Sequence, residues 1–549
     1  MSVSEVAAPP KKRSFLRIWL PLLILVAGST TVAVMRFGPF PEWEAANRNV
    51  SVMFTVLITS ALFLFWFVLF SGLRWVLRLA VVLVIAALAG GAVASVRNVA
   101  FTGDMLPIPE YRWQRPAQDV LRESREQSGG AEVLAPIELD TGQAWEGFRE
   151  YRGLNRAGIA YSWLAWPRSK VPRLVWRQPV GGGYSGFAVA GNVAVTLEQR
   201  ADEEVVVCYD SETGRERWRY AYPAHFSERL GGEGPRATPT ISKGDVFSLG
   251  ATGILVCLKG ATGEPKWSVN ILEGNANIIW GMAGSPLVYD NVVVVNPGAQ
   301  KPTASGKALV AYDRTTGKPV WSAGSRRAGY SSPMLATFGG TPQVLLFDGE
   351  ALGGFDAKTG KELWHFKWDE TLNGINVAQP LVLDNDRVFI SSGYGIGAAM
   401  VQVYRSGDRW GAKQVWKNKT MRCRFNNPVF RRSPISGETG YIYGLDEGFL
   451  VCLDPDTGLR QWRQGRYGHG QLLLAEGDDA YLVILSEDGH VVFVGPNPTS
   501  PNELARFPAL EGKTWNCPAL RGGRLFVRNH LEMACYDLGV VTRGEGGAW

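Results

Sequence analysis

A short signature returns along the second half of this chain, and its period limits the fold more than any other feature. The first copy places Asp210, Thr213, Gly214 and Trp218 at fixed spacing. The next keeps Thr262, Gly263 and Trp267, and three more carry Asp313-Thr316-Gly317-Trp321, Asp356-Thr359-Gly360-Trp364 and Asp454-Thr457-Gly458-Trp462. In every copy an apolar run enters a turn, the turn closes on Thr-Gly, and the chain leaves toward Trp. Asp accepts backbone N–H bonds inside such a turn, and Gly supplies the positive φ of a bulged hairpin. Self-similarity at about 40–50 residues belongs to solenoids and propellers. A large flat ring at one constant phase suits the packing of each blade on the next.

Taking the blade-ending aromatic as marker gives Trp176, Trp218, Trp267, Trp321, Trp364, Trp416, Trp462 and a degenerate Phe507, spaced 42 to 54 residues apart. A second marker keeps the same phase: Thr238-Pro239, Ser285-Pro286, Ser332-Pro333, Gln379-Pro380, Asn427-Pro428 and Cys517-Pro518. Proline fits the first residue of a strand, where its missing donor does little harm. The unit from Trp515 to Leu538 stops at Cys535-Tyr536-Asp537 without an outer strand, whereas Leu174-Val175-Trp176 is an outer strand with no blade before it. Joining the two completes an eighth blade and removes the open edges. The expected fold is an all-β, eight-bladed β-propeller closed by both domain termini.

Ahead of it lie three apolar stretches, about 15–35, 51–70 and 76–96, each long enough to cross a bilayer as a helix. A cleavable signal peptide accounts for the first alone. Lys11, Lys12, Arg13 and Arg17 cluster at the start of the first span, and Arg74 and Arg78 at the junction of the second and third. The positive-inside rule therefore puts the N-terminus in the cytoplasm. Three crossings then place the propeller outside it, anchored in an inner membrane and facing the periplasm. The organisation expected is a membrane domain at 1–100, a linker and surface strap at 101–171, the propeller at 172–540 and a tail at 541–549. Within the linker, Gln118–Gln127 reads as a short amphipathic helix, and the aromatic-rich segment Trp145–Arg156 as the strap.

Of 57 basic and 51 acidic side chains, residues 1–110 hold 9 and 5, which leaves a nearly neutral 48 and 46 for the rest. The basic excess flanks the membrane spans, and no basic-aromatic ladder points to nucleic acid. Four of the six cysteines (Cys208, Cys257, Cys452 and Cys535) hold the same or a neighbouring slot in the repeat. Equivalent slots on different blades lie too far apart to bridge, so these read as small buried residues. Gly181, Gly183 and Gly186 satisfy a Gly-x-Gly-x-x-Gly string, but a β-like run follows instead of a helix, which reads as the turn into the first blade.

The Asp-x-x-Thr-Gly-x-x-x-Trp copies resemble the tryptophan-docking motif of pyrroloquinoline-quinone-type (PQQ-like) eight-bladed propellers over roughly Pro172–Leu538. That superfamily holds quinoprotein alcohol and glucose dehydrogenases and the non-enzymatic propeller lipoprotein of the β-barrel assembly machine. With its three spans the chain resembles bacterial membrane-anchored PQQ-like repeat proteins. Membership of the dehydrogenase branch implies PQQ with Ca²⁺ over the channel, held by Glu, Asn and Asp oxygens as a hard cation requires. Many members add a disulfide between adjacent cysteines. This sequence has no Cys-Cys pair, and the ligand set finds no residue-by-residue match.

Any site is expected on the loops that lead into the innermost strands, because these converge on one face around the channel. They contribute Trp280, Arg326, Arg327, Tyr330 and Asn376, then Arg422, Arg424 and Asn427, and finally His469, Trp515 and Asn516. Arginines facing aromatics and amides suit an anionic or carbohydrate-like ligand, or a peptide strand from a protein partner. Trp280 is the candidate stacking floor. The preferred reading is a binding or assembly platform rather than an enzyme, with no catalytic or metal-ligating residue assigned. The alternative is a PQQ-dependent dehydrogenase oxidising an alcohol or sugar.

Overall fold

Each copy of the signature folds as the turn between the third and fourth strands of a blade. The Asp210 carboxylate accepts the N–H groups of Glu212 (3.1 Å) and Thr213 (2.9 Å) and the Thr213 hydroxyl (2.9 Å). Asp313 and Asp356 repeat the three bonds. The glycine that closes the turn has φ of +73° at Gly214 and +75° at Gly263. It is also covered: a Cβ on Gly263 would come within 2.6 Å of the Trp218 ring of the preceding blade. The indole N–H of that Trp218 donates to the Gly260 carbonyl (2.8 Å), and Trp176, Trp267 and Trp416 dock likewise on Ser211, Arg314 and Pro455. Asp, Gly and Trp are thus parts of one inter-blade joint.

The computed structural model describes residues 15–38, 43–127, 137, 159–161, 171–298, 307–368, 371, 374–384, 386–433, 439–476 and 480–539. They form two compact units, Met1–Gln114 and Arg115–Trp549. The expected strap at Trp145–Arg156 and the tail beyond 539 lie outside the described residues.

In the first unit, helices α1 (Phe15–Phe37), α2 (Ala45–Phe70) and α3 (Trp75–Ser95) are long and apolar enough to cross a membrane. Gly28 of α1 lies directly against Thr59 of α2, the small-residue contact that lets membrane helices approach closely. At the short turn between α2 and α3, Arg78 donates to the Val68 carbonyl (2.7 Å), an acceptor that the end of α2 leaves open, and to the Leu73 carbonyl of the turn (2.9 Å). Strand β1 (Val96–Phe101) follows α3 without a break and pairs antiparallel with β2 (Pro107–Tyr111).

The second unit opens with α4 (Ala117–Gln127), at the place expected for the amphipathic helix. Eight blades follow, with inner-to-outer strands at 188–223, 240–270, 287–323, 334–367, 381–418, 429–466, 471–508 and 519–537. The eighth is completed by Arg173–Pro179, whose Trp176 pairs with Cys535 in antiparallel register, so both ends of the domain close the ring as the sequence implies. The core lies between blades. Val195, Leu197 and Val206 of blade 1, for example, pack on Ile241, Val246 and Val256 of blade 2. All six cysteines are free thiols, and burial pushes those of Cys257, Cys452 and Cys535 up to about 12. The Gly181–Gly186 segment is the turn from the Arg173–Pro179 strand into blade 1.

The closing seam between blades 8 and 1 is charged. Arg528, fully buried, donates to the Thr196 hydroxyl (2.6 Å) and to the carbonyls of Leu197 (3.1 Å) and Gly181 (2.9 Å). Glu198, also buried, pairs with Arg200 (2.9 Å) and accepts the Tyr209 hydroxyl. Burial raises the Glu198 pKa, but Arg200, Arg528 and Arg125 outweigh it and hold the carboxyl at about 2. Arg125 reaches in from α4 to bond Tyr209 (2.6 Å) and Glu216 (3.2 Å). The linker helix is therefore fastened to blade 1 beside the seam.

Candidate functional site

At the mouth of the channel the residues that lead into the inner strands have a common task, and in blades 2 to 6 the residue is the one before the proline. The Gly186 N–H donates to Thr238 Oγ1 (3.0 Å), Thr238 N–H to Ser285 Oγ (2.9 Å) and Ser285 N–H to Ser332 Oγ (2.9 Å). Gln379 joins the Ser332 carbonyl (3.5 Å) to Asn427 Oδ1 (2.9 Å). Gln471 donates to the carbonyls of Phe425 (3.0 Å) and Trp515 (2.9 Å), and Asn516 donates to the Ser185 carbonyl (2.9 Å). Every blade is linked to the next by a closed polar girdle. A proline forces the residue before it into extended backbone, and proline's own lack of an N–H leaves the preceding residue to supply the lateral donor. The Pro marker was visible in the sequence, but its purpose was not.

The candidate residues divide over this frame. Asn427 and Asn516 are girdle members. Asn376 is fully buried, donating to the Asp348 carbonyl (2.8 Å) and accepting from Ser392 (2.7 Å). The arginines pair with carboxylates on neighbouring turns. Arg326 meets Asp348 (2.6 Å) and Glu362 (2.7 Å), and Arg327 meets Glu350 (2.9 Å). Arg422 meets Asp446 (2.7 Å), and Arg424 meets Glu447 (2.8 Å) while stacking on Tyr394.

The aromatics gather in two places. Trp280 packs on Tyr330 with ring centroids 5.6 Å apart, and burial pushes the Tyr330 hydroxyl up to about 12. Trp515 packs on Phe425 (4.7 Å) and Tyr184 (5.3 Å), and Phe425 meets the His469 ring edge-on (5.8 Å). Glu487 ties this group together, accepting the Trp515 indole N–H (2.9 Å) and the His469 backbone N–H (3.1 Å).

Cations sit among these rings. Lys513 lies 4.1 Å from the Trp515 ring, and Arg236 lies 4.6 Å from Phe226 and 5.6 Å from Tyr184. Burial pulls the Arg236 guanidinium below its usual range, and burial together with Lys513 lowers His530 to about 4. Tyr184, Arg236, Phe425 and Lys513 were not among the sequence candidates. Phe425 sits between Arg424 and Asn427, and Tyr184 inside the glycine string, so the signal was a neighbour rather than a motif.

The channel itself receives a short strand, β3 (Ile159–Tyr161). It adds parallel to the inner strand of blade 7, with Ile159 opposite Leu474 and Tyr161 opposite Glu476. That blade has five strands where the others have four.

These residues do not fit a calcium–quinone centre. Among the described residues no group of three or more His, Cys, Asp or Glu side chains is placed to hold a metal ion. Asp348, Glu350, Asp446 and Glu447 are each neutralised by an arginine, and a cation would have to displace that partner first.

A family model described as "Outer membrane protein assembly factor BamB" matches residues 172–247 and 225–464, more than half of the chain. The chain belongs to this family. No curated protein matches the sequence. The chain is also similar to several solved structures. BamB from Moraxella catarrhalis is 15% identical, with 67% of this chain and 100% of that one covered and a TM-score of 0.46. The quinohemoprotein alcohol dehydrogenase ADHIIG from Pseudomonas putida HK5 is 15% identical, with 76% and 84% covered and a TM-score of 0.47. The corresponding enzyme from Comamonas testosteroni is 14% identical, with 70% and 78% covered and a TM-score of 0.45.

Proposed function

We propose that the protein is a membrane-anchored binding or assembly platform whose channel mouth seats an extended segment of an envelope protein. One observation carries the reading. At the mouth the arginines Arg326, Arg327, Arg422 and Arg424 are spent on carboxylates within the frame, whereas the rings of Tyr184, Phe425, Trp515 and Trp280 stay partly open to solvent. A surface of half-open aromatics on a rigid girdle, with Arg236 and Lys513 stacked among them, suits apolar and acidic side chains of a peptide. The family description, an outer membrane protein assembly factor, supports a partner of the envelope. The basic flanks of the spans support an N-terminus in the cytoplasm, an anchor in the inner membrane and a propeller in the periplasm.

The test is a titration of the purified full-length protein with PQQ and Ca²⁺, followed by dye-linked oxidation of alcohols and sugars. The expected result is neither saturable binding nor turnover. Saturable binding lost in Trp515→Ala, with turnover, would replace the platform by a dehydrogenase.

A further inference from the structure

We infer that the β1–β2 hairpin is an aromatic anchor lying in the lipid headgroup layer at the end of the helix bundle where α3 finishes. Helix α3 has 21 residues, about 31 Å of rise, which matches the hydrocarbon thickness of about 30 Å. Ser95 therefore sits at the edge of the hydrocarbon, and β1 begins at the very next residue.

A six-residue strand is about 20 Å long, whereas each headgroup layer is only about 5–8 Å deep. An upright hairpin would leave that layer. This one does not stand upright, because its tip is held against another helix of the bundle. Asn49, in the first turns of α2, donates through Nδ2 to the Asp104 carbonyl (2.9 Å), and both residues are buried. The hairpin thus crosses from the end of α3 to the start of α2, along the membrane plane.

Its free surface has the composition of an interface. Trp113 is 70% exposed and stacks on Tyr111 with centroids 4.5 Å apart and planes within 7°. Leu106, beside the tip, is 45% exposed. Tryptophan and tyrosine prefer the headgroup level because the ring is apolar and its N–H or O–H is polar. Charges balance, with Arg97 and Arg112 against Asp104 and Glu110, so the attraction comes from rings rather than from anionic lipid.

The experiment places an environment-sensitive fluorophore on Trp113→Cys in the full-length protein reconstituted into phosphatidylcholine nanodiscs, with the labelled parent as background. Lipids spin-labelled near the headgroup are expected to quench it several-fold more than lipids labelled near the acyl terminus, and aqueous iodide only weakly. Adding phosphatidylglycerol or salt is expected to leave the pattern unchanged. Arg409→Cys, at the exposed tip of a blade 5 hairpin, is the water-accessible reference. Iodide quenching equal to that reference overturns the inference, and so does shielding of the label from both quenchers by protein. A signal that needs anionic lipid and vanishes in salt overturns the ring-based account. Leu106→Cys repeats the measurement at the other end of the hairpin, so a poorly folded Trp113 variant does not leave the matter open.

Discussion

Gly263 shows what one repeat position does. Its φ of +75° strains any other residue, and the Trp218 ring covers the place a side chain would take. Gly263→Ala is expected to lower stability by roughly 1–3 kcal/mol in chemical denaturation. In a Trp218→Ala background the same change is expected to cost less, because only the backbone strain is left. Equal costs in both backgrounds would separate the glycine from the joint. Glu204 offers a second handle, through pH. Its carboxyl is buried, accepting the Tyr222 hydroxyl (2.9 Å) and the Ala251 N–H (2.8 Å). Burial raises it to about 6, and those bonds offset the shift only in part. The native state thus holds the proton more tightly than the unfolded chain. Its stabilisation is complete below the unfolded value near 4.5 and is lost as pH rises through about 6, a change of about 2 kcal/mol. Melting curves between pH 4 and 7 are expected to show that decline, and Glu204→Gln to make it shallower, with buried Asp348, also raised to about 6, accounting for part of the remainder.

At the scale of elements, the seam between blades 8 and 1 bears the closure of the ring, and Arg528 is its centre. Arg528→Met leaves the carbonyls of Gly181 and Leu197 without their donor and Glu198 with one cation fewer. A loss of roughly 3–5 kcal/mol in denaturant is expected, and a change near zero would mean that the seam is held by apolar packing alone. The blade elements were legible in the sequence because Asp, Thr-Gly and Trp each solve a local problem that recurs. Two elements were not. Blade 5 replaces the turn by a hairpin of two ten-residue strands, and Trp364, which would dock there, donates to Gln343 instead (2.7 Å). The strand Ile159–Tyr161 carries no repeat, and its partner strand in blade 7 lies far along the chain, beyond the reach of any local pattern.

Over the whole molecule, eight blades, closure by Trp176 on Cys535 and three apolar helices were all readable from spacing and hydropathy. The mouth was readable only in part. The entry loops could be named from the repeat, but Arg326, Arg422 and Arg424 meet carboxylates more than twenty residues further along the chain, which no local pattern announces. The girdle had a clear marker in its prolines and was read as strand chemistry alone. The rings of Tyr184, Phe425 and Trp515 come together only when blades 1, 6 and 8 are brought round the channel. The platform reading rests on that gathering, and it is tested most directly inside cells. A photo-cross-linking amino acid at Phe425 is compared with one at Arg409, away from the mouth. The expected result is a discrete protein adduct at position 425, absent at 409 and lost when Trp515→Ala and Tyr184→Ala are combined. No adduct at 425, or the same adducts at both positions, would contradict a binding seat at the channel mouth.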